Sequence, residues 1–501
     1  MKASAVTLGP MIGHTTTEFS RIWIRGDVGC FAVARYRQSS RTTEEQSAGE
    51  WRYEKFPALV ESSDYCATLD LPFGASDTLE IAACIVSVDE ANGDVASIDW
   101  EALPADCRAR VQRPPPAGFA EPYSFIAGSC RHIGYTNDRQ GDRAFETILA
   151  QQGQHRDSFV LMCGDQIYAD HPTDENGFIG AVKNVLRGIA PATFAAYCEV
   201  YRAYFRLPKF RALLAQCPGY MIFDDHEIRD NWAGWKYKAQ LQEKGKKVWD
   251  PAQLNVGLQA YFAYQAMHSP GAKPARAGQW WYEFQWGNSA FFVLDLRSER
   301  TNPSSANASI VEKAQYSALC DFLNMEDQNI RHHFIISPVP IAPDTGTKSV
   351  EHSDTWRAYP EHRNELLTFL RDSARNQPIF ICGDSHVSQF VEVRSKQKPD
   401  FRLKCIMSSA FNWFMFGTQV KRFIPGLAGA ITFEPNGREH PLPATASEVS
   451  NKRDRKGDFY VEPISETEQH NNFVRIRISG QAATADLTLA KNGHVIKTWS
   501  L

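Results

Sequence analysis

The sequence predicts an α/β protein preceded by a small β-rich unit. Three observations carry this. Residues 1–112 hold short alternating or apolar runs rich in β-branched and aromatic residues. A proline-rich stretch, Arg113-Pro-Pro-Pro-Ala-Gly118, follows them. From Tyr123 onward, short apolar runs end abruptly in small and polar residues, with helical patterns between them.

In chain order, SRIWIRG (20–26), CFAVARYR, DYCATLDL and TLEIAACIVSV read as strands of a β-sandwich over 1–112. Residues 113–122 read as a linker. Within 123–501, Phe125–Ala127 leads into Gly128-Ser-Cys130-Arg-His132, and Phe159–Cys163 leads into Gly164-Asp165-Gln-Ile-Tyr168-Ala-Asp170. Tyr220–Phe223 leads into Asp224-Asp225-His226-Glu227, and Phe291–Leu294 into Asp295-Leu-Arg297. Phe334–Ile336 leads into Ser337-Pro338, and Ile379–Cys382 into Gly383-Asp384-Ser385-His386. Continuous apolar runs of this length suit strands buried on both faces. The spacing predicts helices over 143–152, 191–205, 313–324 and 361–375. Past Phe411 the rhythm fades. Residues 471–479, 484–490 and 494–501 read as strands, the last two joined by an Asn492-Gly493 turn.

Composition narrows the function. The 501 residues carry 54 Lys+Arg and 58 Asp+Glu, a formal charge of −4. That balance argues against specific nucleic-acid binding. The 11 cysteines are odd in number and lack a C-x-x-C pair, which argues against a disulfide framework. No stretch is apolar enough for a transmembrane helix. No signal peptide opens the chain, so the sequence as it stands reads as cytoplasmic, and as periplasmic or secreted if an export segment was removed.

Ligands gather beyond the carboxyl ends of strands in such sheets, where these polar clusters fall. Three carboxylates together with His, Tyr and Cys would repel and neutralise one another without a cation among them. Carboxylates suit hard cations, while thiolate, phenolate and imidazole suit a transition metal. Two unlike metals sharing a carboxylate fit the mixture.

The blocks G-D165-Q-I-Y168, D-D225-H226-E227 and G-D384-S-H386 resemble those of the metallophosphoesterase superfamily. Asp225 stands where that superfamily's usual Asn would be, and Asp384 where its first His would be. With Tyr168, Cys130 in G-S-C-R, Arg297 in L-D-x-R and the opening G-P-M-I-G-H-T-T-T, the chain resembles the alkaline phosphatase D (PhoD-like) family from about Leu8 to at least His386. The resemblance implies a four-layer α-β-β-α sandwich after the β-sandwich. It implies phosphodiesterase or alkaline phosphatase activity on a small-molecule, lipid or polymer phosphoester, with metal-bound hydroxide as nucleophile. Cys130, Asp165, Tyr168 and His386 would hold Fe3+. Asp165 would bridge to a second site completed by Asp225 and Asp384, usually taking one or more Ca2+, with other divalent metals possible. His226 and Arg297 would contact the phosphate, and His226 would also serve to protonate the leaving oxygen.

Blander readings stand beside these. Alone, Cys130 reads as an ordinary buried thiol and Tyr168 as a core aromatic. Asp224 reads as a support rather than a ligand. Asp170 and Asp230-Asn231 read equally as ligand orienters or helix caps. His332-His333 reads as a solvated or structural pair ahead of a strand. Trp232, Trp235 and the run 411–416 read as core packing before substrate wall. Among competing functions, a Gly-Asp-Ser serine esterase lacks the glycine that its nucleophile elbow needs at Val387. A cysteine phosphatase lacks its Arg at Thr136, and a zincin lacks a second His at Asp230. A catalytically inactive metal-binding scaffold on the same fold is the non-enzyme alternative.

Overall fold

The computed structural model describes residues 1–39, 49–90, 92–118, 121–133, 142–155, 157–170, 191–234, 251–271, 279–342, 355–413, 447–448 and 458–501. Trp235, Thr136 and residues 414–416 lie outside them.

Residues 1–112 supply eight strands: β1 (Ala3–Ala5), β2 (Leu8–Thr15), β3 (Phe19–Arg25), β4 (Cys30–Ser39), β5 (Arg52–Lys55), β6 (Cys66–Pro72), β7 (Thr78–Ser87) and β8 (Arg108–Gln112). They form a sheet ordered β1-β7-β4-β5, with β8 beside β7, and a three-stranded sheet ordered β2-β3-β6. Ile22, Ile24 and Leu71 from one sheet meet Val33, Ile81 and Val86 from the other in one buried cluster. This is the β-sandwich.

The second part opens with β9 (Tyr123–Gly128), α1 (Arg143–His155), β10 (Asp157–Cys163), α2 (Phe194–Phe205), α3 (Pro208–Leu214), β11 (Gly219–Ile222) and α4 (Pro251–Tyr264). It continues with β12 (Tyr282–Trp286), β13 (Ser289–Val293), α5 (Lys313–Leu323), β14 (His332–Ser337), α6 (Pro360–Asp372), β15 (Ile379–Cys382), β16 (Gln389–Ser395) and β17 (Arg402–Met407). It closes with β18 (Ser447–Glu448), β19 (Phe459–Pro463), β20 (Asn472–Ser479), β21 (Ala482–Leu489) and β22 (Val495–Ser500). One sheet runs β11-β10-β9-β20-β21-β22 and the other β12-β13-β14-β15-β17-β16-β19-β18.

Side-chain alternation stacks these sheets between helices. Phe125 and Ala127 of β9, Phe159 and Leu161 of β10, and Val474 and Ile476 of β20 face Phe291, Phe334, Ile381 and Ile406 of the second sheet. Phe125 and Phe159 stack 4.7 Å apart, and Phe291 and Phe334 5.0 Å apart. The alternate residues point outward. Ile126, Val160 and Met162 meet Phe145 of α1, Tyr201 of α2, Leu213 of α3 and Tyr264 of α4. Phe292, Ile335 and Phe380 meet Phe322 of α5 and Leu366 of α6. The order is helix, sheet, sheet, helix. This burial of both faces makes the strands continuous apolar runs in sequence.

Several elements depart from the sequence reading. Helix α2 begins at Phe194 rather than Pro191, because the Thr193 hydroxyl accepts the Ala196 N–H at 3.2 Å and caps it. Helix α6 ends at Asp372, three residues short of the expected end. His332 and His333 open β14 instead of preceding it, and both are buried. Among the described residues, no helix is long and apolar enough to cross a membrane.

Candidate metal centre

The parallel strands β9, β10 and β11 end side by side, with Val160 opposite both Ile126 and Gly219. Strand β15 ends in the facing sheet, in parallel with β14 and β17. The turns after β9, β10, β11 and β15 therefore converge, and each carries a polar block. Their backbones are unusual. Cys130 (φ 54°), Asp165 (56°), Asp384 (67°) and His386 (53°) all occupy the left-handed region. That conformation costs a non-glycine residue roughly 1–2 kcal/mol, and such outliers cluster at functional sites.

Three groups of potential ligand atoms lie within 4.8 Å of one another: Cys130, Asp165 and His386; Asp165, Asp225 and His226; and Asp224, Asp225 and Asp384. Asp165 belongs to the first two and Asp225 to the last two. Tyr168 joins the first group, its hydroxyl lying 3.3 Å from Asp165 Oδ2 and 3.1 Å from His386 Nε2. Cys130 Sγ lies 3.4 Å from Asp165 Oδ2. The structure thus brings together the six residues that the sequence nominated as metal ligands: Cys130, Asp165, Tyr168, Asp225, Asp384 and His386.

The electrostatics match a cation site. Burial, with Asp225, Asp224 and Glu227 adding to it and His226 opposing, pushes the Asp165 carboxyl well above the usual range. Burial and then Asp165 push the Cys130 thiol up, and burial followed by Cys130 and Asp165 does the same for Tyr168. Each of these groups is held away from its charged form by burial first and by its anionic neighbours second, a penalty that a bound cation would relieve. Burial alone would lower His226, but Asp170 first, then Asp225 and Asp165, raise it well above its ordinary value. Its Nδ1 lies 2.8 Å from Asp170 Oδ1.

Arg297 sits deeper than a phosphate contact suggests. It is fully buried, with Nε on Asp224, Nη2 3.2 Å from Asp225 Oδ1 and 3.7 Å from Asp384 Oδ1. Asp224, expected as a support rather than a ligand, pairs with Arg297 and also belongs to a potential ligand group.

Two supporting residues escaped the sequence reading. Glu227 is fully buried and accepts the backbone N–H groups of Asp165 (3.1 Å), Gln166 (2.6 Å) and Asp224 (2.9 Å), plus the Gln265 amide (3.0 Å). One carboxylate therefore clamps the turns after β10 and β11 together. Ser409, beyond β17, touches Cys130. For Glu227 the signal was its place at the end of the D-D-H-E block; Ser409 had none. Trp413 stacks on His386 at 3.6 Å, while Trp232 packs on Phe223 in the core at 5.9 Å.

Comparison with known proteins agrees with this geometry. A sequence model described as "PhoD-like phosphatase" matches residues 125–424. Alkaline phosphatase D of Bacillus subtilis (strain 168) is 22% identical over 294 residues, which cover 55% of this chain and 48% of that one. The chain thus spans about half the length of this curated relative. The solved structure of PhoD superposes with a TM-score of 0.64 at 15% identity, covering all of this chain and 90% of that one. A purple acid phosphatase from yellow lupin (Lupinus luteus) seeds superposes with a TM-score of 0.57 at 10% identity, covering 99% and 74%. These likenesses identify the sandwich as the metallophosphoesterase-type fold. The match spans the turns after β9, β10, β11 and β15 that hold Cys130, Asp165, Asp225 and His386, and the chain belongs to the PhoD-like phosphatase family.

Proposed function

We propose that the protein is a metal-dependent phosphoester hydrolase, a phosphodiesterase with phosphomonoesterase activity beside it. In this reading Cys130, Asp165, Tyr168 and His386 hold a ferric ion, and Asp165, Asp225 and Asp384 hold calcium. One observation carries it: the Asp165 carboxylate belongs at once to a group rich in soft donors and to a group of oxygen and imidazole donors. A shared carboxylate between unlike donor sets is how two unlike cations are held close together.

Cations held there would supply Lewis-acid charge to the phosphoryl group and an activated water as nucleophile. The chain does the rest. Asp170 fixes the His226 ring through Nδ1, which leaves the other ring nitrogen to hold a proton for the leaving oxygen. Arg297 neutralises and orients Asp224, Asp225 and Asp384, and we assign it that role in place of direct phosphate contact. Glu227 keeps the two loops in register.

The test is metal analysis of the purified protein together with a panel of phosphodiesters and phosphomonoesters, run with added Ca2+ and with a chelator. Iron and calcium with chelator-sensitive turnover are expected. Bound metals with no turnover of any phosphoester would establish the scaffold reading instead.

A further inference from the structure

We infer that Ser409 is a positioning residue for the Cys130 sulfur, tying together two of the four groups that the proposed function assigns to one metal ion. The inference rests on that assignment for Cys130. The Ser409 hydroxyl lies 3.1 Å from Cys130 Sγ and donates to it. The same oxygen accepts the backbone N–H of His386 at 3.0 Å. One short side chain therefore spans from the turn after β9 to the turn after β15.

Three features make this more than incidental packing. Ser409 is fully buried, so its hydroxyl must find its partners inside the protein. A hydroxyl has one proton, and that of Ser409 goes to sulfur. Ser129 makes the contrast. Its hydroxyl lies 3.3 Å from the same sulfur, but also 3.2 Å from the Ser408 carbonyl, which competes for its proton. The backbone of Ser409 is also held by a neighbour: its N–H donates to Ser388 Oγ at 2.9 Å, and that hydroxyl lies 3.1 Å from the Ser409 carbonyl and 2.8 Å from Asn472 Oδ1.

A hydrogen bond onto a ligating sulfur draws on the lone pair and weakens its donation to a metal. Removing it makes a sulfur electron easier to promote. The sulfur-to-metal absorption band then moves to longer wavelength.

The experiment replaces the native metal with Co2+ in the full chain, so that the readout does not depend on the identity of that metal or on turnover. Wild type, Cys130→Ser, Ser409→Ala and Ser409→Cys are compared by absorption spectroscopy, metal content and thermal melting. Loss of the band in Cys130→Ser establishes the ligand; a wild type without the band, or a band that survives in Cys130→Ser, overturns the ligand assignment and the inference with it. Given the ligand, Ser409→Ala is expected to retain metal and move the band to longer wavelength. An unmoved band at full metal content, with or without a lower melting temperature, makes Ser409 merely structural and overturns the inference while leaving the proposed function standing. Should the alanine variant fail to fold, Ser409→Cys, with its weaker donor, decides by the same criterion.

Discussion

Asp170 accepts the Nδ1–H of His226 at 2.8 Å, while its second oxygen accepts the backbone N–H of Asp230 at 2.7 Å. A single carboxylate thus sets both the ring angle of His226 and the path of the chain after it. Asp170→Asn keeps the shape and loses the charge. Activity on a chromogenic phosphodiester is expected to fall about 10–100-fold with metal content unchanged. Loss of metal instead would recast Asp170 as part of the metal scaffold.

Asp165→Asn is expected to lower the content of both metals and abolish hydrolysis, because the residue belongs to two of the three ligand groups. Elemental analysis beside the activity assay checks this. Full loading of either metal would count against a shared carboxylate.

Arg297→Ala leaves three carboxylates without their guanidinium. Removing one partner of a buried ion pair costs about 3–5 kcal/mol. Chemical denaturation in chelator is expected to show a loss of that size, and added Ca2+ is expected to recover more stability in the variant than in wild type. Equal recovery in both would argue that the carboxylates do not face a cation site.

Acid should weaken the fold through histidines outside the centre. Burial holds His14, His268, His333 and His362 down at about 4, against 6.5 for the free side chain. The unfolded chain takes up these protons first as pH falls, so the stability present above pH 6.5 is lost progressively toward pH 4. His362 accepts the Ile310 N–H on Nδ1 at 3.2 Å, and His362→Gln keeps an acceptor without the titration. Denaturation midpoints across this range should fall less steeply in the variant. An equal slope would remove His362 from the account.

The sequence carried the centre of the fold better than its margins. Strands such as β10 and β13 announce themselves because neighbours on both faces demand continuous apolar runs. By contrast β12 (YEFQW) alternates aromatic and polar residues at a sheet edge, and β16 (QFVEVRS) reads no more apolar than a surface loop. The nominated ligands were legible because each follows a strand end within a recognisable block. Sequence order alone could not decide which of Asp224 and Asp225 approaches a cation, nor how deep Arg297 lies, since both depend on the packing of β11 against its neighbours. Ser409 stood in no block. Its contact with Cys130 arises where β17 and β9 end together, a meeting of residues far apart in the chain.

Strand β20 pairs with β9, placing residues 474–478 against 123–127 in the middle of the sheet that carries Cys130 and Asp165. The ribosome delivers those two residues, and the open edge of β9, long before it delivers the strand that covers them. Until then the edge is a template for wrong pairing, and the cysteine and carboxylate are separated from His386 and Ser409 by chain not yet made. Order of synthesis therefore places the meeting of Cys130 and Asp165 with His386 after most of the chain has been made.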